Sequence, residues 1–240
     1  MPLVVIGASV EFISVSVSEP GRLSCKTGDC KLRLKDLEIT LQSMERISEH
    51  DVSLEQYPTP ATIAAAVLFS AEMDHGDIGG KLVFDLGCGD GIFAIGAALL
   101  GARKAVGVDV QSKALKASQR NSNLLGTEDT TDWILGDVAA LALIEPIDTV
   151  LSNPPFGVKK RGADLRFLRK AISIARVTYS MHLSGEKNRV FLRNAVEDLG
   201  GVVTQIERFE FPIPRIYKFH RKERHMIRVD LYRICNVDCD

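Results

Sequence analysis

No stretch of this sequence approaches the roughly 18–20 uninterrupted apolar residues that a bilayer span requires. Residues 1–20 are apolar but lack the basic start of a secretory signal, and Glu11 interrupts them, so a cytoplasmic protein is expected. Internal repeats and low-complexity tracts are missing too. Excess charge of either sign is also lacking: 30 Lys and Arg stand against 31 Asp and Glu, a net charge of −1. That balance argues against a uniformly basic, histone-like nucleic-acid binder. Cysteine is sparse, with five residues, an odd number. Cys25 and Cys30, with Cys235 and Cys239, are spaced more widely than the gaps of about two to four residues in a four-thiolate zinc site, so reduced thiols and no metal are expected. His75, His182 and His225 lack metal-ligand spacing and read as surface or loop residues. What is present is ordinary: 45% hydrophobic and 25% charged residues over 240 positions. Such a composition excludes disorder and collagen-like repeats, and the length buries a core without a disulfide or metal staple.

The rhythm of the chain is one of strands alternating with helices. Residues 3–18 alternate loosely and suggest a strand, ended by the turn signal Glu19, Pro20, Gly21. Helical spacing begins near Lys31, with Leu32, Leu34, Leu37, Leu41 and Met44. Thr59 is placed to cap a helix over 61–71, with Pro60 at its first position. Short apolar runs at 81–85, 105–109, 133–135 and 147–152 read as strands. Helices are expected between them at 92–100 and 113–125, the second capped by Ser112, and after them at 163–174. A fifth strand at 177–183 and a helix at 186–199, stopped by Gly200 and Gly201, precede two final strands at 202–211 and 227–234 joined by a basic loop. This alternation means parallel βαβ units. The expected fold is α/β: a doubly wound, Rossmann-like seven-stranded sheet with helices on both faces and the last strand antiparallel.

Four signals fall at successive strand ends, where open α/β sheets place their ligands. The first is the turn Asp85, Gly87, Cys88, Gly89, Asp90, Gly91, which leaves a strand and enters a helix. Its glycines depart from the G-x-G-x-x-G of a dinucleotide fingerprint, which disfavours a nicotinamide-dependent oxidoreductase. Asp85 and Asp90 would repel a phosphate; a ligand with a cationic centre suits them. Asp109, followed by Val110, ends the next strand 24 positions after Asp85 and is placed to accept both hydroxyls of a ribose. Asp137, followed by Val138, follows the third strand and is placed to receive an adenine amino group.

The fourth signal, Asn153, Pro154, Pro155 and Phe156, is the strongest. Two prolines lock the backbone, and the Asn153 side-chain oxygen and Pro154 carbonyl can converge on a planar exocyclic amine. Such an amine is a poor nucleophile because its lone pair is delocalised into the ring. Acceptors aimed at its hydrogens favour the pyramidal form and meet the charge that develops on nitrogen. Phe156 offers a face on which a base can stack. No Ser-His-Asp or catalytic-cysteine arrangement is visible, and methyl transfer from a sulfonium needs none.

These residues resemble the motifs of class I S-adenosylmethionine-dependent methyltransferases, in the branch that methylates exocyclic or amide nitrogens. Glu55, Gln56, Tyr57, Pro58 and Thr59, the Asn153 tetrapeptide, and Tyr217, Lys218, Phe219, His220, Arg221 and Lys222 narrow the match. Together they resemble the archaeal and eukaryotic adenine-N6 methyltransferases of small-subunit ribosomal RNA, over residues 31–235. By that resemblance Gln56, Tyr57, Thr59, Asp85, Gly87, Cys88, Gly89, Asp109, Val110, Asp137, Val138 and Asn153 line the cofactor site. Asn153 to Phe156 would hold the target adenine. The implied cofactor is S-adenosyl-L-methionine, and the implied partner is RNA, ribosomal RNA in particular. Several such enzymes are stabilised by a small zinc-containing activator protein that adds a strand to the sheet edge, so a monomer or heterodimer is expected. Residues 1–30 precede the family pattern and form an extension, a lineage-specific arm or the product of an upstream start codon. Residues 31–240 are then one methyltransferase domain.

Charge is segregated, not absent. Residues 158–170 and 215–228 hold twelve of the 30 cations and two of the 31 acids, leaving 18 cations against 29 acids elsewhere. Two basic rims on an acidic body suit a polyanion, and the RNA contacts expected are Lys159, Lys160, Arg161, Lys218, Phe219, His220, Arg221 and Lys222. Tyr217, Phe219 and His220 among the cations also suit base stacking. The competing acceptors are the guanine 2-amino group and a protein glutamine amide. A reading of another class is a non-catalytic RNA-binding or ribosome-assembly factor, against which the intact tetrapeptide argues.

Overall fold

The runs around Val83, Val106 and Val150 are apolar at nearly every position, the pattern of parallel strands covered on both faces. A computed structural model of the chain describes residues 3–6, 11–14, 32–47, 57–143, 146–156, 162–214 and 224–236. Its elements are strands β1 (Leu3–Ile6) and β2 (Glu11–Ser14), then helices α1 (Leu34–Gln42) and α2 (Ala61–Met73). The alternating core follows: β3 (Leu82–Leu86), α3 (Ile92–Leu99), β4 (Lys104–Asp109), α4 (Ser112–Leu124), β5 (Thr131–Leu135), β6 (Leu141–Leu143) and β7 (Ile147–Ser152). The last third comprises α5 (Ala163–Ile174), β8 (Ala175–Leu183), α6 (Glu186–Asp198), β9 (Gly201–Pro214) and β10 (Arg224–Asn236).

Seven strands form one sheet in the order β5-β4-β3-β7-β8-β10-β9. Strands β3, β4, β5, β7 and β8 run parallel, and β10 lies antiparallel to both β8 and β9. Successive β3 residues enter opposite cores, as a pleated strand requires. Val83 joins Ala105, Leu151 and Met181 beneath α1, α2 and α3, whereas Phe84 joins Val106 and Val150 beneath α5. Helix α6 completes the second face, where Leu192 and Val196 meet Leu168, Ile172 and Tyr232. This is the doubly wound sheet read from the sequence. The winding reverses between β3 and β7, which opens a crevice at their carboxyl ends.

Several local expectations are corrected. Residues 3–18 do not form one strand: β1 and β2 pair antiparallel, and β1 also pairs with β6 in a separate three-stranded sheet. Thr59 does not cap α2; Pro60 is the N-cap, at φ −59° and ψ 142°, with no side-chain cap. Ser112 lies inside α4, whose N-cap is Gln111. Among the described residues, no helix is long and apolar enough to cross a membrane.

The β9–β10 hairpin is longer than expected. Strand β10 meets the end of β8 at Val229↔Leu183, while its pairing with β9 continues to Arg224↔Pro214. The hairpin therefore overhangs the carboxyl end of β8 by five residues, about 17 Å at the usual rise per residue.

Candidate active site

The carboxyl ends of β3, β4 and β7 open onto a cavity of about 330 Å³. Tyr57, Thr59, Asp85, Gly87, Cys88 and Gly89 line it, as do Asp109, Val110, Asp137, Val138 and Asn153. Of the residues assigned to the cofactor, only Gln56 lies outside the described residues. The Gly-rich turn takes its shape from Gly87 (φ 74°), Gly89 (φ 54°) and Gly91 (φ 86°), all left-handed. The Gly87 and Cys88 amides donate to the Val108 carbonyl at 2.8 and 3.0 Å, clipping the turn to β4. A Cβ on Gly87 would lie 2.9 Å from Phe167, and one on Gly107 would lie 2.5 Å from the Trp133 ring. The absence of both side chains lets α5 and the Trp133 ring close around the turn.

Three carboxylates surround this turn. Asp85 Oδ2 accepts from the Ala94 amide at 3.2 Å. Burial pushes the Asp85 carboxyl up to about 8, reinforced by the charges of Asp90 and Asp109 and opposed by the Ala94 and Phe93 amides. Asp109 accepts from the Gly89 amide at 3.0 Å and the Gln111 amide at 2.9 Å, and burial raises it as well. Asp90 pairs with Arg46 at 2.9 Å. Carboxyls that resist ionisation when alone gain most from a cationic ligand. Asp137 is more committed than expected: it accepts from the Ala139 amide at 2.9 Å and pairs with Arg166 at 3.0 Å.

Asn153 follows β7, whose last residue Ser152 donates to the Leu86 carbonyl at 2.9 Å. The Asn153 amide nitrogen donates to the Tyr57 carbonyl at 3.3 Å and to Thr59 Oγ1 at 3.0 Å. Its Oδ1 is buried and takes no donor from the protein. A buried acceptor left unmatched costs about 1–3 kcal/mol and marks a place where a donor belongs. Pro154 and Pro155 line the same cavity.

Phe156 departs from expectation. Its ring is 6% exposed and does not line the cavity. It lies near-parallel to Tyr57, with centroids 5.8 Å apart, and edge-on to Phe211, also at 5.8 Å. The apolar core draws it inward, and the aromatic face presented to the cavity is that of Tyr57, backed by Phe156. The contact with Phe211 also fixes β9 beside the tetrapeptide, three residues short of Pro214.

Lys159, Lys160, Arg161, Lys218, Phe219, His220, Arg221 and Lys222 lie outside the described residues, as do Gly157, Cys25, Cys30 and Cys239. Within the described part of the basic clusters, Arg169 and Arg228 are exposed, while the Lys170 ammonium donates to the Leu141 carbonyl at 2.7 Å. Cys88 and Cys235 are free thiols.

His182 is not a surface residue; it is 1% exposed on β8. Nor is a Ser-His-Asp arrangement absent. Ser180 Oγ lies 2.9 Å from His182 Nε2, and Asp164 Oδ2 lies 3.4 Å from Nδ1. Ser180 is fully buried, so no substrate meets it, and the trio ties α5 to β8. Ile47, Phe93, Ala163, Arg166 and Phe167 also line the cavity and were not foreseen. Only Arg166 carried a signal, its place in a basic cluster; the others look like core residues in sequence.

The sheet order, the acidic Gly-rich turn and the amide-bearing tetrapeptide define a class I methyltransferase, whose methyl donor is S-adenosylmethionine. Known proteins carry the assignment further. A family model described as ribosomal protein L11 methyltransferase (PrmA) matches residues 64–153. The rRNA N(6)-adenosine-methyltransferase METTL5 of Danio rerio is 36% identical over 206 residues, covering 84% of this chain and 98% of its own. The Drosophila melanogaster Mettl5 of the same description is 36% identical over 211 residues, covering 85% and 96%. A crystal structure from Pyrococcus horikoshii, described as that of a candidate RNA methyltransferase, matches with a TM-score of 0.79 at 37% identity over 85% of this chain and 98% of that one. This chain belongs to the METTL5 family of rRNA N(6)-adenosine-methyltransferases.

Proposed function

We propose that this protein transfers the methyl group of S-adenosylmethionine to the exocyclic N6 of an adenine in ribosomal RNA. The observation that carries the reading is the Asn153 amide: its nitrogen is held by Tyr57 and Thr59, and its oxygen is buried without a donor. An exocyclic amine supplies the missing donor. Asn153 Oδ1 and the Pro154 carbonyl hold the two amine hydrogens, which favours the pyramidal nitrogen and stabilises the charge it gains. Tyr57 stacks on the base.

The cavity fits the donor. Asp85 and Asp109 supply buried acceptors around a turn whose glycines admit close approach, and Asp137 and Val138 close the far side. When bound, S-adenosylmethionine supplies an electrophilic methyl group whose sulfonium charge disappears on transfer. The residues Tyr57, Asn153 and Pro154 then contribute alignment and exclusion of water. The basic clusters at 158–170 and 215–228 support an RNA acceptor, and the names of the relatives support adenine in ribosomal RNA.

A protein glutamine amide is the second reading, favoured by the match to a ribosomal-protein methyltransferase model. That match covers the cofactor half and ends at Asn153, so it bears on the donor more than the acceptor. Mass spectrometry of nucleosides from ribosomal RNA of a deletion strain tests the proposal: N6-methyladenosine falls. Labelled methyl appearing only on a protein substrate would refute it. Asn153→Ala is expected to lower methyl transfer by about 10²–10³-fold, with affinity for S-adenosylhomocysteine nearly kept; unimpaired turnover would sink the catalytic role and favour a non-catalytic RNA-binding factor.

The same reading extends to organisation. Residues 31–240 form one methyltransferase domain preceded by an extension, and the protein works in the cytoplasm as a monomer or with a small zinc-containing activator. Fluorescence localisation of the tagged chain and copurification followed by zinc analysis test these points. Nuclear enrichment, or a stable homodimer, would overturn them.

A further inference from the structure

We propose that Thr59 is a positioning residue that fixes which end of the Asn153 amide faces the target base, so that the site admits an amino group and repels a ring carbonyl. This inference rests on the role given to Asn153 above.

An amide side chain has an acceptor end and a donor end of nearly identical shape, so packing alone does not orient it. Hydrogen bonding must do so. Here the Asn153 nitrogen faces the Tyr57 carbonyl at 3.3 Å. A carbonyl can only accept, so the donor end belongs on that side. The second partner, Thr59 Oγ1 at 3.0 Å, is the shorter and straddles the same nitrogen. With both NH₂ hydrogens engaged, Oδ1 is left pointing away, buried and without a donor. A reversed amide would set oxygen against the Tyr57 carbonyl oxygen and turn two donor hydrogens towards an amine that itself donates.

Thr59 is built for this task and not for the one its sequence position suggests. It is 5% exposed, and the cap position of α2 is taken by Pro60, so its hydroxyl is not spent on a helix amide. Pro60 anchors it: the Pro60 carbonyl accepts from the Ala64 amide at 2.9 Å, seating Thr59 at the start of a helix whose Ala64, Ala65, Leu68 and Ala71 are fully buried. The rigid α2 thus holds a hydroxyl against an amide 94 residues away in sequence. An Oδ1 so oriented attracts the 6-amino group of adenine and repels the 6-carbonyl of inosine or guanine at the same place.

The test uses the full chain with Thr59→Val, Thr59→Ser and Asn153→Ala, an unmodified small-subunit ribosomal RNA transcript, and labelled S-adenosylmethionine. Valine keeps the branched shape and removes the acceptor; serine keeps the acceptor. Loss of one neutral hydrogen bond predicts a fall in the single-turnover rate on the order of tenfold for Thr59→Val. Its dissociation constant for S-adenosylhomocysteine should stay within about twofold, because no cofactor contact is removed. Thr59→Ser should keep most of the wild-type rate. A Thr59→Val enzyme as fast as wild type beside an inactive Asn153→Ala would overturn the positioning role and leave the function standing. An active Asn153→Ala would overturn the function itself. Equal impairment in the valine and serine variants, or a parallel loss of S-adenosylhomocysteine binding, would show that Thr59 acts through packing or the cofactor and would also refute the proposal.

Discussion

Binding at the cofactor cavity should release a proton from Asp85, and the size of that effect follows from its burial. Alone, the carboxyl keeps its proton up to about 8. A ligand carrying an ammonium group beside it requires the ionised form, so binding below that value must first remove the proton. Apparent affinity is then reduced by a factor of one plus ten to the power of the pKa minus the pH, which is about 100 at pH 6 and about 2 at pH 8. Affinity for S-adenosylhomocysteine should therefore rise about 50-fold from pH 6 to pH 8. Isothermal titration in buffers of different ionisation enthalpy measures both this slope and the proton released, close to one per ligand at pH 6–7. Asp85→Asn should bind weakly with little pH dependence. The fold shows the opposite sign. Because the folded carboxyl lies above its unfolded value, its contribution to stability is complete below the ordinary carboxylate range and is lost as pH rises towards about 8. The Tm of the ligand-free chain should fall over that interval relative to Asp85→Asn. An affinity for S-adenosylhomocysteine that does not change between pH 6 and pH 8 would refute the reasoning.

Two further outcomes are expected. Gly107→Ala puts a methyl group 2.5 Å from the Trp133 ring and 2.9 Å from Cys88 Sγ. It should cost roughly 1–3 kcal/mol and lower Tm by about 3–10 °C in calorimetry, whereas Gly185→Ala, with nothing within 4 Å, should change Tm little. Affinity for ribosomal RNA should fall steeply with salt, and replacing Lys159, Lys160 and Arg161 by Ala should flatten the log–log slope by about 2 for single-stranded contacts; an unchanged slope in filter binding would remove that cluster from the RNA surface.

Where the sequence was legible, the signal was local. The turn from Asp85 to Gly91 and the tetrapeptide from Asn153 announce themselves within a few residues, because glycine and proline restrict backbone in ways no neighbour can override. The parallel strands were equally plain, since burial on both faces writes continuous apolar runs. What could not be read depends on distant partners. Thr59 looks like a helix cap until Asn153 arrives from 94 residues away. Phe156 looks like a stacking face until Phe211 and Tyr57 enclose it. His182 gave no hint of burial, because a single histidine carries no periodicity. The walls made by Ile47, Phe93 and Phe167 were invisible for the opposite reason: apolar residues on helices or beside them look alike whether they face a core or a ligand.

The overhanging β9–β10 hairpin has a consequence for how such an enzyme could be rebuilt. The ribosomal-protein methyltransferase model matches residues 64–153 and stops at the first residue of the tetrapeptide. Everything after it, from α5 to the hairpin that runs five residues beyond β8, belongs to target choice. Donor seat and target reader are thus joined in series along the chain, with Asn153 as the seam. A chimera spliced there should inherit its chemistry from one parent and its address from the other, and lengthening the hairpin would alter reach without disturbing the seat of the methyl donor.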